Sequence, residues 1–195
     1  MKKIVFTFGL LACIACGSQQ TATENNMATE ENNVRENIPD KHREKPSPLM
    51  AKGNISLEEI HTTSWFQRSY ESFQPEPEAL KAFQKAMRKQ DYKIDVYFGL
   101  WCGDSHRDVP KLVKLMEMAN CDLSRLTFVS VDRSKRVPDV SPEIAEKLHI
   151  HHVPTFIFYK DGLEVERYVE RPVESLEKDL AKIAQGEDYS DRYGE

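Results

Sequence analysis

The sequence has 195 residues, of which 39% are hydrophobic and 30% are charged, and its formal net charge at pH 7 is −5. A chain of this length fills one hydrophobic core with extensions and is too short for two well-filled cores. The acidic balance lacks the basic surplus that phosphate binding requires, so the composition argues against a nucleic-acid partner.

The first sixteen residues have the pattern of an export signal. Lys2 and Lys3 give a positive start, and residues 4–15 carry no charge over a length too short to span a bilayer. The stretch ends in LLACIACGS, which resembles the box where bacterial lipoprotein signals are cut before a cysteine that is then acylated. We favour Cys16 as the lipidated residue; Cys13 and a plain cleaved signal peptide are the alternatives. The expected location is the bacterial cell envelope, with a membrane anchor through the N-terminal lipid and the protein facing the periplasm or exterior.

Residues 17–55 are predicted to be a disordered tether. They are rich in Gln, Thr, Glu, Asn, Lys and Pro, lack aromatic residues, and show no sustained period of a helix or strand. Such a segment cannot bury enough apolar surface to offset the entropy of ordering. Since two of the four cysteines belong to the signal, only Cys102 and Cys121 remain for the folded part.

The rest of the chain is predicted to be an N-terminal extension (56–78), a folded domain (79–187) and a tail (188–195). Ser56 and Glu59 form a capping-box pattern at the start of the extension, and three aromatic residues of one helical face follow, Phe66, Tyr70 and Phe73. The remaining helices are predicted at 77–89, 105–119, 142–148 and 172–186, and the strands at 93–98, 126–131, 155–159 and 164–169. A βαβ half followed by a ββα half predicts an α/β fold with one central mixed sheet and helices on both faces.

The motif WCGDSH, residues 101–106, lies where a predicted strand gives way to a helix. Backbone N–H groups and the dipole of a helix N-terminus favour an anion, so a cysteine there favours the thiolate form. Cys102 is therefore the candidate nucleophile. Ser105 can donate a hydrogen bond to the thiolate, and an imidazolium at His106 would stabilise it; a solvent-facing His106 with no role is the alternative.

Two motifs resemble the thioredoxin family. WCGDS is similar to the Trp-Cys-Gly-x-Cys motif of that family with Ser105 in place of the second cysteine, and Val153-Pro154-Thr155 is similar to its cis-proline loop. The resemblance covers about residues 80–185, and WCGDSHRDVP with the ending RPVESLEKDLAKIA resembles a subgroup of exported, monothiol thioredoxin-like lipoproteins. It implies a thioredoxin-like fold in which Pro154 is cis and lies against Cys102. It also implies that an extended substrate is bound by Trp101, Val153, Pro154 and Thr155.

The sequence departs from the family in its proton relay. The family buries an aspartate six residues before the cysteine, where this chain has Val96, while Asp95 is predicted to point to the other face of its strand. About 16 helical residues separate Cys121 from Cys102 by roughly 24 Å, whereas a disulfide needs Cα atoms within about 7 Å. Cys121 is therefore not expected to pair with Cys102 and is predicted to be a buried small hydrophobe. The loop at 133–142 is also longer than short thioredoxins carry.

Other polar residues near the motif are predicted to have no chemical role. Arg107 and Asp108 are placed on the surface. His151 and His152 are adjacent and point apart, so they are not expected to form a metal site with the cysteine and histidine of WCGDSH. We predict no metal and no cofactor.

The predicted function is thiol–disulfide exchange through one cysteine, with a disulfide-bearing protein or a small thiol as partner. Cys102 would form a mixed disulfide that an external thiol resolves, as in isomerisation or deglutathionylation. Two alternatives remain open at this point. One is a binding module for extended polypeptides without redox turnover, and the other is peroxide reduction through a Cys102 sulfenate. The sequence does not indicate an oligomeric state.

Overall fold

A computed structural model describes residues 53–194 of the chain. The predicted signal, both candidate lipidation sites (Cys13 and Cys16) and the tether as far as residue 52 lie outside the described residues. Within 53–194, no helix combines the length and the apolar character needed to cross a membrane.

Five strands form one mixed sheet in the order β1-β3-β2-β4-β5. Their bounds are β1 (Gly53–Asn54), β2 (Lys93–Phe98), β3 (Leu126–Ser130), β4 (Thr155–Lys160) and β5 (Leu163–Val169). The central strand β2 runs parallel to β3 and antiparallel to β4, while β1 and β5 are antiparallel edges. The turn between β4 and β5 uses Asp161 and Gly162, both with positive φ (53° and 79°), which is typical of a tight hairpin.

In the described part of the chain, six α-helices flank the sheet: α1 (Leu57–His61), α2 (Ser64–Ser72), α3 (Pro77–Lys89), α4 (Gly103–Met118), α5 (Pro142–Leu148) and α6 (Leu176–Gln185). The capping box predicted at Ser56 and Glu59 is present in both directions. Helices α3 and α5 have their predicted bounds, and each has a proline in its first turn, where the missing N–H costs nothing.

Two apolar clusters lie on opposite faces of the sheet. The main core takes Ile94, Val96 and Phe98 from β2 and packs them against the helices on that side, including α3, α4 and α6. The site cluster takes Tyr97 from β2 and packs with Leu148 of α5, together with the two site residues Cys102 and Val153. Because side chains alternate along a strand, β2 serves both clusters. The α/β architecture with a mixed sheet and helices on both faces is as predicted.

The N-terminal boundary of the folded part is earlier than predicted. Gly53 and Asn54, which the sequence assigns to the tether, pair with Ser130 and Val129 of β3, and the following Ile55 is buried. The two-residue strand was missed because it is too short to show a period, and its hydrogen bonds come from a strand far along the chain.

The last helix begins later than predicted. Pro172 does not open α6, which starts at Leu176. The carboxylate of Asp179 accepts hydrogen bonds from the backbone N–H groups of Val173 (2.6 Å) and Glu174 (3.2 Å). These bonds hold the segment before the helix in a turn, so the start of the helix is set by a side chain inside it.

Candidate active site

The turn between β2 and α4 places Cys102 at the N-cap of the helix. The N–H of Cys102 donates to the carbonyl of Gly99 (2.9 Å), and its own carbonyl accepts from the N–H of His106 (3.0 Å). A Cβ atom at Gly99 would lie 2.7 Å from the indole ring of Trp101, closer than non-bonded atoms approach. Glycine at this position therefore allows the Trp101 ring to lie against the turn.

The cysteine meets the proline loop as the sequence predicts. The Val153–Pro154 peptide bond is cis, and the Cys102 Sγ donates a hydrogen bond to the carbonyl of Val153 at 3.2 Å. Cys102 is 8% exposed. The Thr155 hydroxyl donates to the carbonyl of His152 at 2.7 Å. The two motifs, 51 residues apart in sequence, thus form one site.

Ser105 is fully buried beneath the same turn. Its hydroxyl oxygen accepts a hydrogen bond from the N–H of Gly99 at 3.1 Å. The bond that the structure shows is with the backbone of the turn, and donation from this hydroxyl to a Cys102 thiolate stays a prediction. Ser105 therefore holds the segment that carries Cys102.

His106 faces the N-terminal extension. Its Nε2 donates to the carbonyl of Leu100 at 2.8 Å, and its ring stacks on that of Trp65 with centroids 4.5 Å apart and planes 12° apart. Neither contact involves the Cys102 sulfur, so support of a thiolate by His106 remains a prediction. Trp65 was missed as a site neighbour because it lies off the apolar face of α2 and the sequence gives no sign of what it contacts.

Asp108 is not a surface residue, so that prediction is wrong. It is fully buried and accepts hydrogen bonds from the Tyr168 hydroxyl (2.8 Å) and from Arg107 Nε (2.8 Å). Arg107, whose side chain is 37% exposed, also contacts Asp104 and donates to the carbonyl of Glu170. Hydrogen bonding to Asp108 raises the pKa of Arg107, and burial raises the pKa of Tyr168.

Helical spacing could have indicated the burial of Asp108. The residue lies three positions after Ser105 and four before Leu112, and both of these face inward.

The adjacent histidines His151 and His152 diverge, as expected. The ring of His151 lies against His149, and that of His152 stacks on Tyr193 with centroids 3.9 Å apart. His152 Nδ1 is also 3.4 Å from a carboxylate oxygen of Glu170. In residues 53–194, no three His, Cys, Asp or Glu side chains converge as metal ligands.

The C-terminal tail packs beside the proline loop. Arg192 Nε donates to the carbonyl of Pro172 at 2.6 Å, and Tyr193 covers His152, the residue that precedes Val153. A hydrogen bond to Glu170 raises the pKa of Tyr193 to about 12. Tyr193 is thus a site neighbour that the sequence assigned to a separate tail.

The position of the family's buried aspartate is apolar here. Val96 is fully buried in the main core. Asp95 is half-buried on the opposite face, where burial raises the pKa of its carboxyl and a hydrogen bond with Thr127 opposes that shift. No carboxylate of β2 therefore faces the main core, as the sequence predicts.

Cys121 lies beyond the other end of α4, which is 16 residues long. It is half-buried and packs against the main core, so it is more exposed than the buried residue predicted. Burial raises the pKa of its thiol. Both cysteines of the described residues are free thiols.

A family model described as Thioredoxin matches residues 75–182. The chain belongs to the thioredoxin family. Thioredoxin Asp f 28 of Aspergillus fumigatus is 31% identical over 101 residues, which are 51% of this chain and 85% of that protein. Thioredoxin of Chlamydia trachomatis serovar D is 36% identical over 73 residues, which are 37% of this chain and 63% of that protein. The crystal structure of oxidised mitochondrial thioredoxin 3 from Saccharomyces cerevisiae is 25% identical and matches 52% of this chain and 86% of its own, with a TM-score of 0.29.

This membership assigns the chain to the thioredoxin-family class of thiol–disulfide oxidoreductases and to the thioredoxin-like α/β fold. The matched region begins at residue 75, so α1 and α2, which carry Trp65, precede it. The tail from Asp188 to Tyr193 follows it. The site therefore combines family elements with neighbours from outside the matched region.

Proposed function

We propose that this thioredoxin-family protein exchanges thiols and disulfides through Cys102 alone. The observation that supports the proposal most is at Ser105. This residue occupies the place of the motif's second cysteine, is fully buried, and is hydrogen-bonded to Gly99. Among the described residues, the other cysteine, Cys121, lies at the far end of α4. Within residues 53–194, Cys102 therefore has no neighbouring thiol to complete a dithiol cycle.

The exchange begins when the Cys102 thiolate attacks one sulfur of a substrate disulfide. A bond forms between Cys102 Sγ and that sulfur, the substrate's S–S bond breaks, and the second sulfur leaves as a thiolate that takes a proton from water. The donor bond from Cys102 to the Val153 carbonyl must break first, since a thiolate has no proton to donate. The backbone carbonyl of Val153 is then available to an extended substrate, beside the side chains of Trp101, Pro154 and Thr155.

An external thiol completes the cycle. It attacks the mixed disulfide, leaves bonded to the substrate sulfur, and releases Cys102 as a thiolate. No second cysteine of the protein has to be deprotonated in this scheme. The replacement of the family's buried aspartate by Val96 is consistent with it, because the proton relay would have no thiol to serve. The scheme fits isomerase-type or deglutathionylation-type reactions on a protein or a small thiol.

The location of the protein is also part of the proposal. The positive start, the short apolar stretch and the LLACIACGS box support export and acylation at Cys16, with Cys13 as the alternative. The domain would then act in the bacterial cell envelope, attached to the membrane through its lipid. Mass spectrometry of the mature N-terminus tests this part, and an unmodified N-terminus on a soluble envelope protein would contradict it.

A second candidate function is supported by the state of the thiol. Cys102 is only 8% exposed and donates its hydrogen bond to a carbonyl, an arrangement that suits a thiol of low reactivity in a peptide-binding site. In that case the domain would bind extended polypeptides through the proline loop without turnover.

One experiment separates the two candidates. The protein and its Cys102→Ser variant are incubated with glutathione disulfide and analysed by intact mass before and after addition of dithiothreitol. Exchange predicts one glutathione adduct on the wild-type protein, removed by dithiothreitol, and none on the variant. A wild-type protein that stays unmodified, while alkylating no faster than a free thiol, would favour the binding module.

A further inference from the structure

The long loop after β3 is ordered and borders the site. We call residues 132–141 the basic loop, because it carries Arg133, Lys135 and Arg136. The Asp132 carboxylate fixes its first turn by accepting from the N–H groups of Ser134 (2.9 Å) and Arg136 (3.0 Å). Val137 is 6% exposed and belongs to the site cluster, the same apolar cluster that holds Cys102 and Val153. The loop is therefore anchored at both its start and its middle.

Arg133 is held over the residue that precedes the cysteine. Its guanidinium lies 5.2 Å from the centroid of the Trp101 ring. The Trp101 indole N–H in turn donates to the carbonyl of Val131 at 3.1 Å, which ties the ring to the root of the basic loop. The ring thus supports an exposed cation at the edge of the site.

One of the three cations of the basic loop forms an ion pair, and the other two do not. Arg136 pairs with Asp132 at 3.2 Å, whereas Arg133 and Lys135 form no ion pair within residues 53–194. An exposed cation attracts a carboxylate appreciably only at short range, because the Debye length at physiological salt is about 8 Å. The whole chain carries a formal charge of −5, so its overall charge does not attract anions. Any preference for anions must therefore come from a local feature such as this loop.

We propose that the basic loop selects disulfides that carry carboxylates next to the reacting sulfur, with Arg133 as the principal contact and Lys135 as a second. This inference rests on the proposed exchange at Cys102 and names its substrate class. The reaction is the one written above: the Cys102 sulfur becomes bonded to the carboxylate-bearing half of the substrate, and the other half leaves as a thiol after protonation. Arg133 stabilises the bound anion and takes no part in the transfer of the proton.

Three small symmetric disulfides test the charge preference. They are 3,3′-dithiodipropionate (anionic), bis(2-hydroxyethyl) disulfide (neutral) and cystamine (cationic). The rate of adduct formation at Cys102 is measured by intact mass at low and at high salt, for the wild-type protein and for the double variant Arg133→Gln/Lys135→Gln. For each reagent, the ratio between variant and wild type cancels the reagent's intrinsic reactivity.

The expected result is specific to the anion. The double variant should react with dithiodipropionate roughly two- to fivefold more slowly than the wild type, the size of effect that exposed ion pairs give. Its rate with the neutral disulfide should be unchanged, and high salt should remove the difference. The control variant Lys85→Gln/Lys89→Gln makes the same charge change on α3 and should leave all three rates unchanged.

Two outcomes would overturn the inference, and they are distinguishable. Equal slowing with all three reagents, or no slowing with any, would refute charge selection while leaving exchange at Cys102 intact. No adduct with the neutral disulfide in the wild-type protein would refute the proposed function and the inference with it. A peptide disulfide flanked by Glu, beside its Gln counterpart, identifies the source of the carboxylates. If the rate with the Glu-flanked peptide falls more in the Arg133→Gln/Lys135→Gln variant than the rate with dithiodipropionate does, the natural substrate is a polypeptide. If the two rates fall equally, the natural substrate is a small thiol.

Discussion

A cysteine lies at each end of α4, and the two thiols have different surroundings. Cys102 is the N-cap, with its backbone in the turn that Gly99 and Ser105 hold and its sulfur against Val153. Cys121 follows the C-terminal end, half-buried against the main core, and burial raises the pKa of its thiol. Free N–H groups at a helix N-terminus favour an anion, and free carbonyls at the C-terminus disfavour one.

The two thiols therefore have different surroundings although the residue type is the same. A count of cysteines in the folded part would allow one disulfide, yet a 16-residue helix keeps the two thiols apart. The same comparison explains why Ser105 matters. It lies near Cys102, where a second thiol would act, whereas Cys121 does not.

The largest effect is expected at Cys102 itself. Cys102→Ser should abolish adducts with every disulfide tested, because it removes the nucleophile, whereas Cys121→Ser should form them at the wild-type rate. Intact mass after incubation with a neutral disulfide measures both. Adducts that persist in Cys102→Ser and vanish in Cys121→Ser would reverse the comparison.

The next effect concerns the lifetime of the adduct. Ser105→Cys places a thiol beside Cys102, so the mixed disulfide should be resolved internally, and its lifetime should fall by at least about tenfold. The resulting dithiol should still be slower than one with a buried carboxylate, since Val96 cannot act as a proton relay.

Ser105→Ala is the matched control for that variant. It also removes the hydrogen bond to Gly99 but adds no thiol, so the adduct lifetime should stay at the wild-type value. The free energy of unfolding should fall by about 1 kcal/mol for the lost bond. A shortened lifetime in Ser105→Ala would attribute the effect to loosening of the turn.

A smaller effect separates the reactivity of the two thiols. Because burial raises the pKa of Cys121, less thiolate is present at a given pH than for an exposed thiol, and its alkylation should accelerate only at more basic pH. Peptide-resolved alkylation by iodoacetamide between pH 7 and 10 measures this, with the unfolded protein as the reference. A Cys121 rate equal to that of the unfolded chain at every pH would contradict its partial burial.

The last prediction concerns stability, at the hydrogen bond between Tyr168 of β5 and Asp108 of α4. Tyr168→Phe removes the hydroxyl that donates to the buried Asp108, and a hydrogen bond to a charged group contributes about 1.5–3 kcal/mol. The free energy of unfolding in denaturant should fall within that range. Tyr159→Phe, which removes a half-exposed hydroxyl from the same sheet, should change it by less than about 0.5 kcal/mol.

Local patterns predicted most of the fold. The helices α3 and α5 and the strand β2 were predicted with the bounds found. Both helices have a proline in the first turn, and α3 also has apolar residues at helical spacing. The pairing of the WCGDS motif with the Val153–Pro154 turn was also predicted, from resemblance to a family. These features depend on residues close together in sequence or on two specific motifs.

Three other contacts between distant segments, which belong to no recognised motif, were not predictable from the sequence. Trp65 stacks on His106, Tyr193 on His152 and Arg133 on Trp101, and each pair joins segments separated by at least 32 residues. No local period encodes these contacts. The error at Asp108 has another origin, because the residue type suggested the surface while the helical position indicated the interior. The start of α6 was missed since Asp179, inside the helix, shapes the turn before it.

A non-reducing peptide map of the oxidised protein tests the central claim most directly. The folded protein is treated with excess glutathione disulfide, freed of reagent, digested without reduction, and mapped by mass spectrometry. A monothiol site predicts one glutathione per molecule, bonded to Cys102 and stable until an external thiol is added. A peptide that links Cys102 to Cys121 while the fold is intact, or a Cys102 that carries no glutathione, would contradict it.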